Sequence, residues 1–214
     1  MDIMKIKTRH VLFRFQMPDW DLNLHLILGT RYNYLVDTGL GSLSVAPVRE
    51  YLQNDRKPMI VVNTHYHWDH IWGNHVFSDC MIISHRQCRE TAECQWAEML
   101  ERNKAYVYGD VRKCLPGLVF ENTLYFPDDK IRLIYTPGHT SDSISVLDEQ
   151  EGVLNAGDNI GDTVDKIIPS VQCDKEVYID TLLKYQTLAF DTCISGHNAV
   201  LGNDVIDRIL EQYV

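Results

Sequence analysis

The 214-residue chain has no cysteine before position 80 and no C-x-x-C pair anywhere. Thioredoxin-type redox chemistry and a zinc ribbon therefore lack their ligands. The six cysteines, at 80, 88, 94, 114, 173 and 193, define no disulfide framework in a chain long enough to build its own core. They read as small apolar packing residues in a reduced, cytoplasmic setting. No apolar run approaches the roughly 18 residues of a membrane span. The start, Met1-Asp2-Ile3-Met4-Lys5, lacks the apolar core of a signal peptide. Clustered Lys and Arg are also missing. The formal net charge is −10, from 30 acidic and 20 basic side chains, with residues 1–107 balanced and the deficit in 108–214. A nucleic-acid partner is not expected. There is no Walker sequence and no G-x-S-x-G elbow, which removes P-loop and serine-triad chemistry. Gly39-Leu40-Gly41-Ser42-Leu43-Ser44 lacks the third glycine of a dinucleotide fingerprint.

No linker rich in Pro, Gly or Ser and no fixed-period repeat divides the chain, so one domain over 1–214 is expected. Val11 to Phe15, Leu22 to Leu28 and Tyr32 to Val36 read as strands, with turns at Pro18-Asp19 and Gly29-Thr30. Val45 to Asn54 reads as a short helix capped by Ser42 or Ser44. Met59 to Val62 has the continuous apolar character of a buried strand, and Cys80 to Ser84 is another short apolar run. Gln87 to about Val107 is the longest helical stretch, and 87–118 is a possible lid, with Tyr106 and Tyr108 close behind the helix. From Phe120 the period falls to two through Leu124 to Phe126, Ile131 to Tyr135, Ser143 to Leu147 and Val153 to Ala156, an antiparallel meander. Glu176 to Leu188 is helical, Cys193-Ile194 a last strand, and Asp204 to Tyr213 a terminal helix with Asn203 as cap. This α/β alternation suits three or four layers.

The strongest chemical signal is His65-Tyr66-His67-Trp68-Asp69-His70, directly behind the buried strand Met59 to Val62. Rigid sheets present reactive groups on such loops. Imidazole and carboxylate suit zinc and, nearly as well, divalent iron or manganese. His65 and His67 converge on one ion if the backbone between them is extended, leaving Asp69 and His70 to face another point. Further ligands must come from downstream. His139 in Pro137-Gly138-His139-Thr140, Asp158 in Gly157-Asp158 and His197 in Ser195-Gly196-His197 each follow a strand, with glycine beside them to permit close backbone approach.

These residues, together with Asp37-Thr38-Gly39, resemble the metallo-β-lactamase fold superfamily of hydrolases over roughly residues 20–200, and most nearly its glyoxalase II and lactonase-like branch. The resemblance implies a four-layered αββα sandwich. It also implies two divalent metal ions, Zn²⁺ first and Fe²⁺ or Mn²⁺ as alternatives. His65, His67 and His139 would hold one ion, Asp69, His70 and His197 the other, and Asp158 would bridge them. Asp37 would be a structural acid near the ligand loops. Asp69 and Asp158 would be the catalytic carboxylates around a hydroxide shared by the ions, which attacks an activated carboxyl ester such as a thioester or lactone.

The helical domain that follows the last ligand in glyoxalase II enzymes is not expected, since the chain ends shortly after His197. Other functions the resemblance allows are an iron-dependent redox enzyme handling persulfide or oxygen, a β-lactamase-like hydrolase and a non-catalytic binding module. The partner is then a small-molecule substrate, with a homo-oligomer possible but not indicated. His10, His25, His75 and His85 read as ordinary strand, surface or loop histidines, and His85 with Cys88 and Cys94 is a weak third metal site. Tyr66, Trp68 and Trp72 read as packing or as an apolar rim to the site, and Asn159 and Lys166 as groups within possible reach of substrate.

Overall fold

The computed structural model describes residues 1–17 and 20–213, so the turn expected at Pro18-Asp19 lies outside the described residues. In chain order the elements are β1 (Asp2–Lys5), β2 (His10–Gln16), β3 (Asp21–Leu28), β4 (Asn33–Val36), α1 (Ser42–Tyr51), β5 (Met59–Val62), α2 (Trp68–Ile71), β6 (Met81–His85), α3 (Arg86–Asn103), β7 (Leu118–Phe120), β8 (Thr123–Phe126), β9 (Ile131–Tyr135), β10 (Ile144–Asp148), β11 (Val153–Asn155), α4 (Lys175–Gln186), β12 (Thr192–Ile194), β13 (Leu201–Gly202) and α5 (Asp204–Leu210).

The strands form two sheets, one ordered β1-β2-β3-β4-β5-β6-β7 and the other β13-β12-β11-β10-β9-β8. The first is antiparallel through β4 and parallel from β4 to β7. In the second, β8 to β11 is the expected antiparallel meander, and β12 adds to β11 in parallel. Alternation along each strand sends one set of side chains inward and the other outward. Tyr34, Val36, Ile60 and Val62 meet Ile131, Leu133, Ile144 and Val146 between the sheets. Leu24, Leu26, Leu35 and Val61 face outward under Val45 and Val48 of α1. On the opposite side, Leu154 and Cys193 pack beneath Tyr178, Leu182, Val205 and Ile209 of α4 and α5. The result is the expected four-layered αββα sandwich.

The 87–118 stretch is packed onto the ligand-bearing segment: Ala92, Trp96 and Met99 of α3 share a cluster with Ile71 and Trp72, and Val107, Val111 and Leu115 lie against it. Three strands escape the sequence pattern. β1 is largely exposed, β7 has three residues and β13 two. Helix α1 starts three residues earlier than expected, and its N-terminal boundary falls at Gly41 with no side-chain cap. Ser44 Oγ instead accepts from Leu40 N–H (3.0 Å) and Ser42 Oγ from Asp110 N–H (2.8 Å). The glycine at 41, at φ 139°, admits the carbonyls of Tyr108 and Asp110, so the glycine pair compared above with a dinucleotide fingerprint serves a chain crossing. Asn203 precedes α5 without a capping bond.

Candidate metal centre

Every ligand-bearing loop leaves a strand at the same end of the sandwich. β5 delivers Asn63 to His67, and His67 adopts an extended conformation (φ −61°, ψ 149°) immediately before α2 begins. The chain thus turns from extended to helical between the two histidines of the H-x-H pair and Asp69-His70. His65 Nε2 and His67 Nδ1 converge to 3.0 Å, while His139 Nε2, from the loop after β9, lies 3.1 Å from His67 Nδ1. Asp69, His70 and His197 form a second group whose candidate ligand atoms lie within 4.8 Å of one another, as do those of His65, His67 and His139. Asp158 stands between the two. Its Oδ2 is 3.1 Å from His197 Nε2, 3.3 Å from His70 Nε2, and 3.7 Å from both His65 Nε2 and His139 Nε2. All seven residues singled out in the sequence therefore meet at one place.

The proton inventory shows what such a cluster demands. Carbonyl oxygens only accept, so His139 Nδ1 donates to Ser170 O (2.6 Å) and His197 Nδ1 to Asp21 O (2.8 Å). Asp37 accepts from Thr64 N–H (2.8 Å), the Thr64 hydroxyl (2.7 Å) and His70 Nδ1 (2.8 Å). Since that hydroxyl proton is committed, Thr64 Oγ1 accepts from His65 Nδ1 (3.0 Å). Four of the five imidazoles are thus fixed by an outer partner with the second nitrogen turned toward the shared space, the arrangement that orients metal-ligating histidines. His70 Nε2 and Asp158 Oδ1 are buried with no hydrogen-bond partner, and an orphaned buried polar atom is expensive unless something else satisfies it. Lone pairs aimed at each other from about 3 Å require positive charge between them. The donor set, five imidazoles and two carboxylates, fits two divalent ions of the zinc, iron or manganese type.

Electrostatics point the same way. Burial, reinforced by the neighbouring imidazoles, holds His65 well below the ordinary histidine range, and burial with His139 beside it takes His67 down to about 4. Burial opposes charge on His70 and His197 too, but there the carboxylates win: Asp158 and Asp37 raise His70 well above its usual value, and Asp158 lifts His197 to about 9. Burial works against the Asp158 anion, yet His197 and His70 hold its carboxyl well below the carboxylate range. Burial thus keeps the His65 and His67 nitrogens unprotonated, with lone pairs open to a cation, while Asp158 stays ionised beside them.

Above the ligands lies a cleft of about 280 Å³, bordered by Trp20, Trp68, Asp162, Lys166 and Ser170. Trp20 packs edge-on against His197 at 5.2 Å, and no sequence signal marked it. Of the two residues considered for reach of substrate, Lys166 stands on this cleft, whereas Asn159 turns away from it. Its Oδ1 accepts from His139 N–H (2.8 Å), and its Nδ2 donates to Thr136 O (2.7 Å) and Tyr185 Oη (2.9 Å). Asn159 is therefore a brace for the His139 loop rather than a substrate contact, because its amide is committed on both sides. Trp72 is wholly buried and packs; Tyr66 and Trp68 are half-buried.

The other histidines have separate duties. His85 caps α3 and stacks on Tyr135 at 4.2 Å. Its proposed grouping with Cys88 and Cys94 does not form among the described residues: Cys88 is buried and Cys94 exposed, so Cys94 is also an exception to the packing role expected of the cysteines. His75 is half-buried near Trp72 O. His10 and His25 are fully buried links in a directed chain. Asn155 Nδ2 donates to His25 Nδ1 (3.2 Å), which leaves His25 Nε2 to donate to His10 Nδ1 (2.9 Å) and His10 Nε2 to Asp148 (2.8 Å). Asn155 Oδ1 in turn accepts from Gly157 N–H (2.9 Å), one residue before Asp158. His10, Asp148 and Glu151 could be drawn as another metal group, but Arg9 already occupies Asp148 through Nε (2.6 Å) and Nη2 (2.5 Å).

Comparison with known proteins agrees with the architecture. A probable metallo-hydrolase of Methanocaldococcus jannaschii is 26% identical over 78% of this chain and 66% of its own length. An acyl-coenzyme A thioesterase of Homo sapiens is 24% identical over 90% of this chain and 78% of its own. An atrochrysone carboxyl ACP thioesterase of Aspergillus fumigatus is 28% identical over 83% and 51%. Among solved structures, a metallo-beta-lactamase of Pontibacter korlensis superposes with a TM-score of 0.76 at 15% identity, covering 98% of this chain and 97% of the other. At that identity the likeness is one of fold, and the resemblance to glyoxalase II and lactonases rests on motif pattern. The model of the metallo-beta-lactamase superfamily matches residues 19–197, and the chain belongs to that superfamily.

Proposed function

We propose that the chain is a dinuclear metal-dependent hydrolase of activated carboxyl esters, with thioesters favoured over lactones. The observation that carries this is the position of Asp158, one carboxylate oxygen within 3.7 Å of nitrogens from four histidines, between two groups of three ligand atoms. His65, His67 and His139 would hold one ion, Asp69, His70 and His197 the second, and Asp158 both. Zinc suits the imidazole-rich set best, with iron and manganese compatible. Two such ions supply Lewis acidity toward a carbonyl and a water acidic enough to ionise near neutrality.

The chain's own residues supply the rest. Asp37 and Thr64 lock the rings of His65 and His70, and the carbonyls of Ser170 and Asp21 lock those of His139 and His197. Pre-set ligands need no rearrangement as charge develops, which is where electrostatic catalysis gains most. Trp20 and Trp68 border the cleft and shield it from water, and Lys166, also on its rim, offers a cation to an anionic part of the substrate. Two of the relatives named above are thioesterases by name, which favours a thioester among activated carboxyl esters.

The test is a screen of acyl thioesters, lactones and a cephalosporin against protein purified without added metal, with oxygen consumption followed in parallel. Thioester cleavage without oxygen uptake, lost on Asp158→Ala together with bound metal, is the expected result. Oxygen uptake with iron, or hydrolysis unaffected by Asp158→Ala, would overturn the proposal.

A further inference from the structure

His67 is the fifth imidazole of the centre, the one whose outer nitrogen has no carbonyl, hydroxyl or carboxylate to hold it. Its Nδ1 is the nitrogen turned inward, 3.0 Å from His65 Nε2 and 3.1 Å from His139 Nε2. Thr64 and Ser170 keep the protons of those two rings on their outer nitrogens. For His67 Nδ1 to present a lone pair beside theirs, the single proton of the neutral ring must sit on Nε2. That N–H then needs an acceptor, as the outer nitrogen of a ligating histidine does.

Among the described residues one side chain comes near enough. The terminal amide of Gln172 lies 3.5 Å from His67 Nε2. Backbone bonds bring it there. Gln172 N–H donates to His139 O (3.0 Å) and Cys173 N–H to Gly138 O (3.2 Å), while Ser170 O accepts from His139 Nδ1 (2.6 Å). The 170–173 segment is thus laced to the His139 loop, and the side chain leaving its middle meets His67. One segment serves two of the three histidines in the His65-His67-His139 group.

We infer that Gln172 is the positioning residue for His67, its amide oxygen accepting the Nε2 proton and so leaving Nδ1 free to ligate. This rests on the dinuclear reading above. An amide carries a donor end and an acceptor end, and a half-turn about its last bond exchanges them. The nitrogen end stands at 3.5 Å. In that orientation it donates to Nε2, which sends the ring proton to Nδ1 and blocks the ligand. With the oxygen end turned inward the order reverses. Gln172 is exposed and its amide makes no other hydrogen bond among the described residues, so the half-turn meets no obstacle. The other four rings rest on fixed acceptors, whereas His67 rests on one that swivels.

The experiment compares the wild type with Gln172→Glu and Gln172→Met. Glu offers acceptor oxygens alone, and Met keeps the length with a thioether that accepts only weakly. Both substitutions change an exposed side chain and spare the backbone bonds, so the metal-free proteins should unfold at the same temperature as the wild type. Zinc is titrated against a chelating dye in about 0.5 M salt, which screens the charge that Glu adds. Long-range proton–nitrogen correlation spectra of the zinc-loaded proteins locate the ring protons. In the wild type His67 should carry its proton on Nε2. One of the two stepwise zinc affinities should weaken about ten-fold in Gln172→Met and match or exceed the wild type in Gln172→Glu. The Nε2 proton should exchange with water faster in Gln172→Met than in the other two. Unchanged zinc affinity in Gln172→Met, an equal loss in Gln172→Glu, or a zinc-loaded wild type with His67 protonated at Nδ1 overturns the inference and leaves the dinuclear reading standing. A wild type that takes up no zinc overturns both.

Discussion

Gly196→Ala places a single methyl group where the candidate centre has no room for it. A Cβ at this position would lie 2.8 Å from His70 Cε1 and closer still to Asp158 Oδ1, whereas ordinary contact begins at 3.4 Å. The backbone cannot give way cheaply. Gly196 N–H donates to Gly157 O (3.2 Å) and Gly196 O accepts from Asn23 N–H (2.7 Å). His70 is pinned by Asp37 behind it, so the carboxylate of Asp158 must swing away by about 1 Å. Displacement on that scale costs about 100-fold in rate where geometry governs catalysis, and overpacking costs about 1–3 kcal/mol of stability. The residue has no left-handed backbone to strain, so the damage is purely steric. Gly152→Ala is the opposite case, with φ at +65° and its nearest neighbour at 3.6 Å. It should lose about 1–2 kcal/mol to backbone strain and keep its metal. The assay pairs bound metal per chain by mass spectrometry with thermal unfolding of both variants. Full metal occupancy and an unchanged hydrolysis rate in Gly196→Ala would refute the placement of Asp158 between the two ligand groups.

Three further outcomes follow from buried groups away from the ligands. Asp148→Asn leaves Arg9 buried without its carboxylate and should cost about 3–5 kcal/mol at neutral pH. Hydrogen bonds from His10 and Arg9 overcome burial and hold the Asp148 carboxyl far below the usual range. Its contribution is thus present above the unfolded-state value of about 3.9 and fades as pH falls, so the wild-type advantage in Tm should shrink below about pH 4. Asp142 is buried, no well-aligned hydrogen bond reaches either carboxylate oxygen, and burial raises its pKa over the opposing pull of the Thr140 hydroxyl and the Tyr66 N–H nearby. Wild-type stability should therefore fall as pH rises through that raised value, and Asp142→Asn should gain roughly 1–3 kcal/mol at pH 8 but little at pH 4, read by denaturant unfolding at both pH values. Asn155→Leu cuts the chain from His25 to Gly157 N–H. Metal affinity should drop about 10–100-fold with the far-ultraviolet dichroism unchanged, and equal affinity would show that the chain serves stability alone.

The ligands were legible in the sequence because each sits at the end of a short apolar run, where residue type and position agree. His65 to His70 are also contiguous, so the extended backbone between His65 and His67 and the separate facing of Asp69 and His70 followed from spacing, whereas the helical turn that begins at Trp68 did not. What fixes those ligands was not legible. The carbonyls of Asp21 and Ser170 carry no residue signature, and Thr64 and Asp37 come together only because β4 and β5 run side by side in parallel. His10 and His25 looked like ordinary strand histidines for the same reason: the β2–β3 register, pairing Leu12 with His25 and His10 with Ile27, brings them diagonally together, and Asp148 arrives from the other sheet. Asn159 was misread because proximity to Asp158 in sequence says nothing about which way an amide points. The missed strands are short, and β1 is mostly exposed, so hydrophobic alternation has little to act on.

The most direct test of a paired cation centre is a metal titration of demetallated wild-type protein, followed by native mass spectrometry with Asp158→Ala alongside. Two ions per wild-type chain and no more than one in the variant is the expected result. A wild-type chain that takes up no divalent ion, or a variant that still holds two, would contradict it.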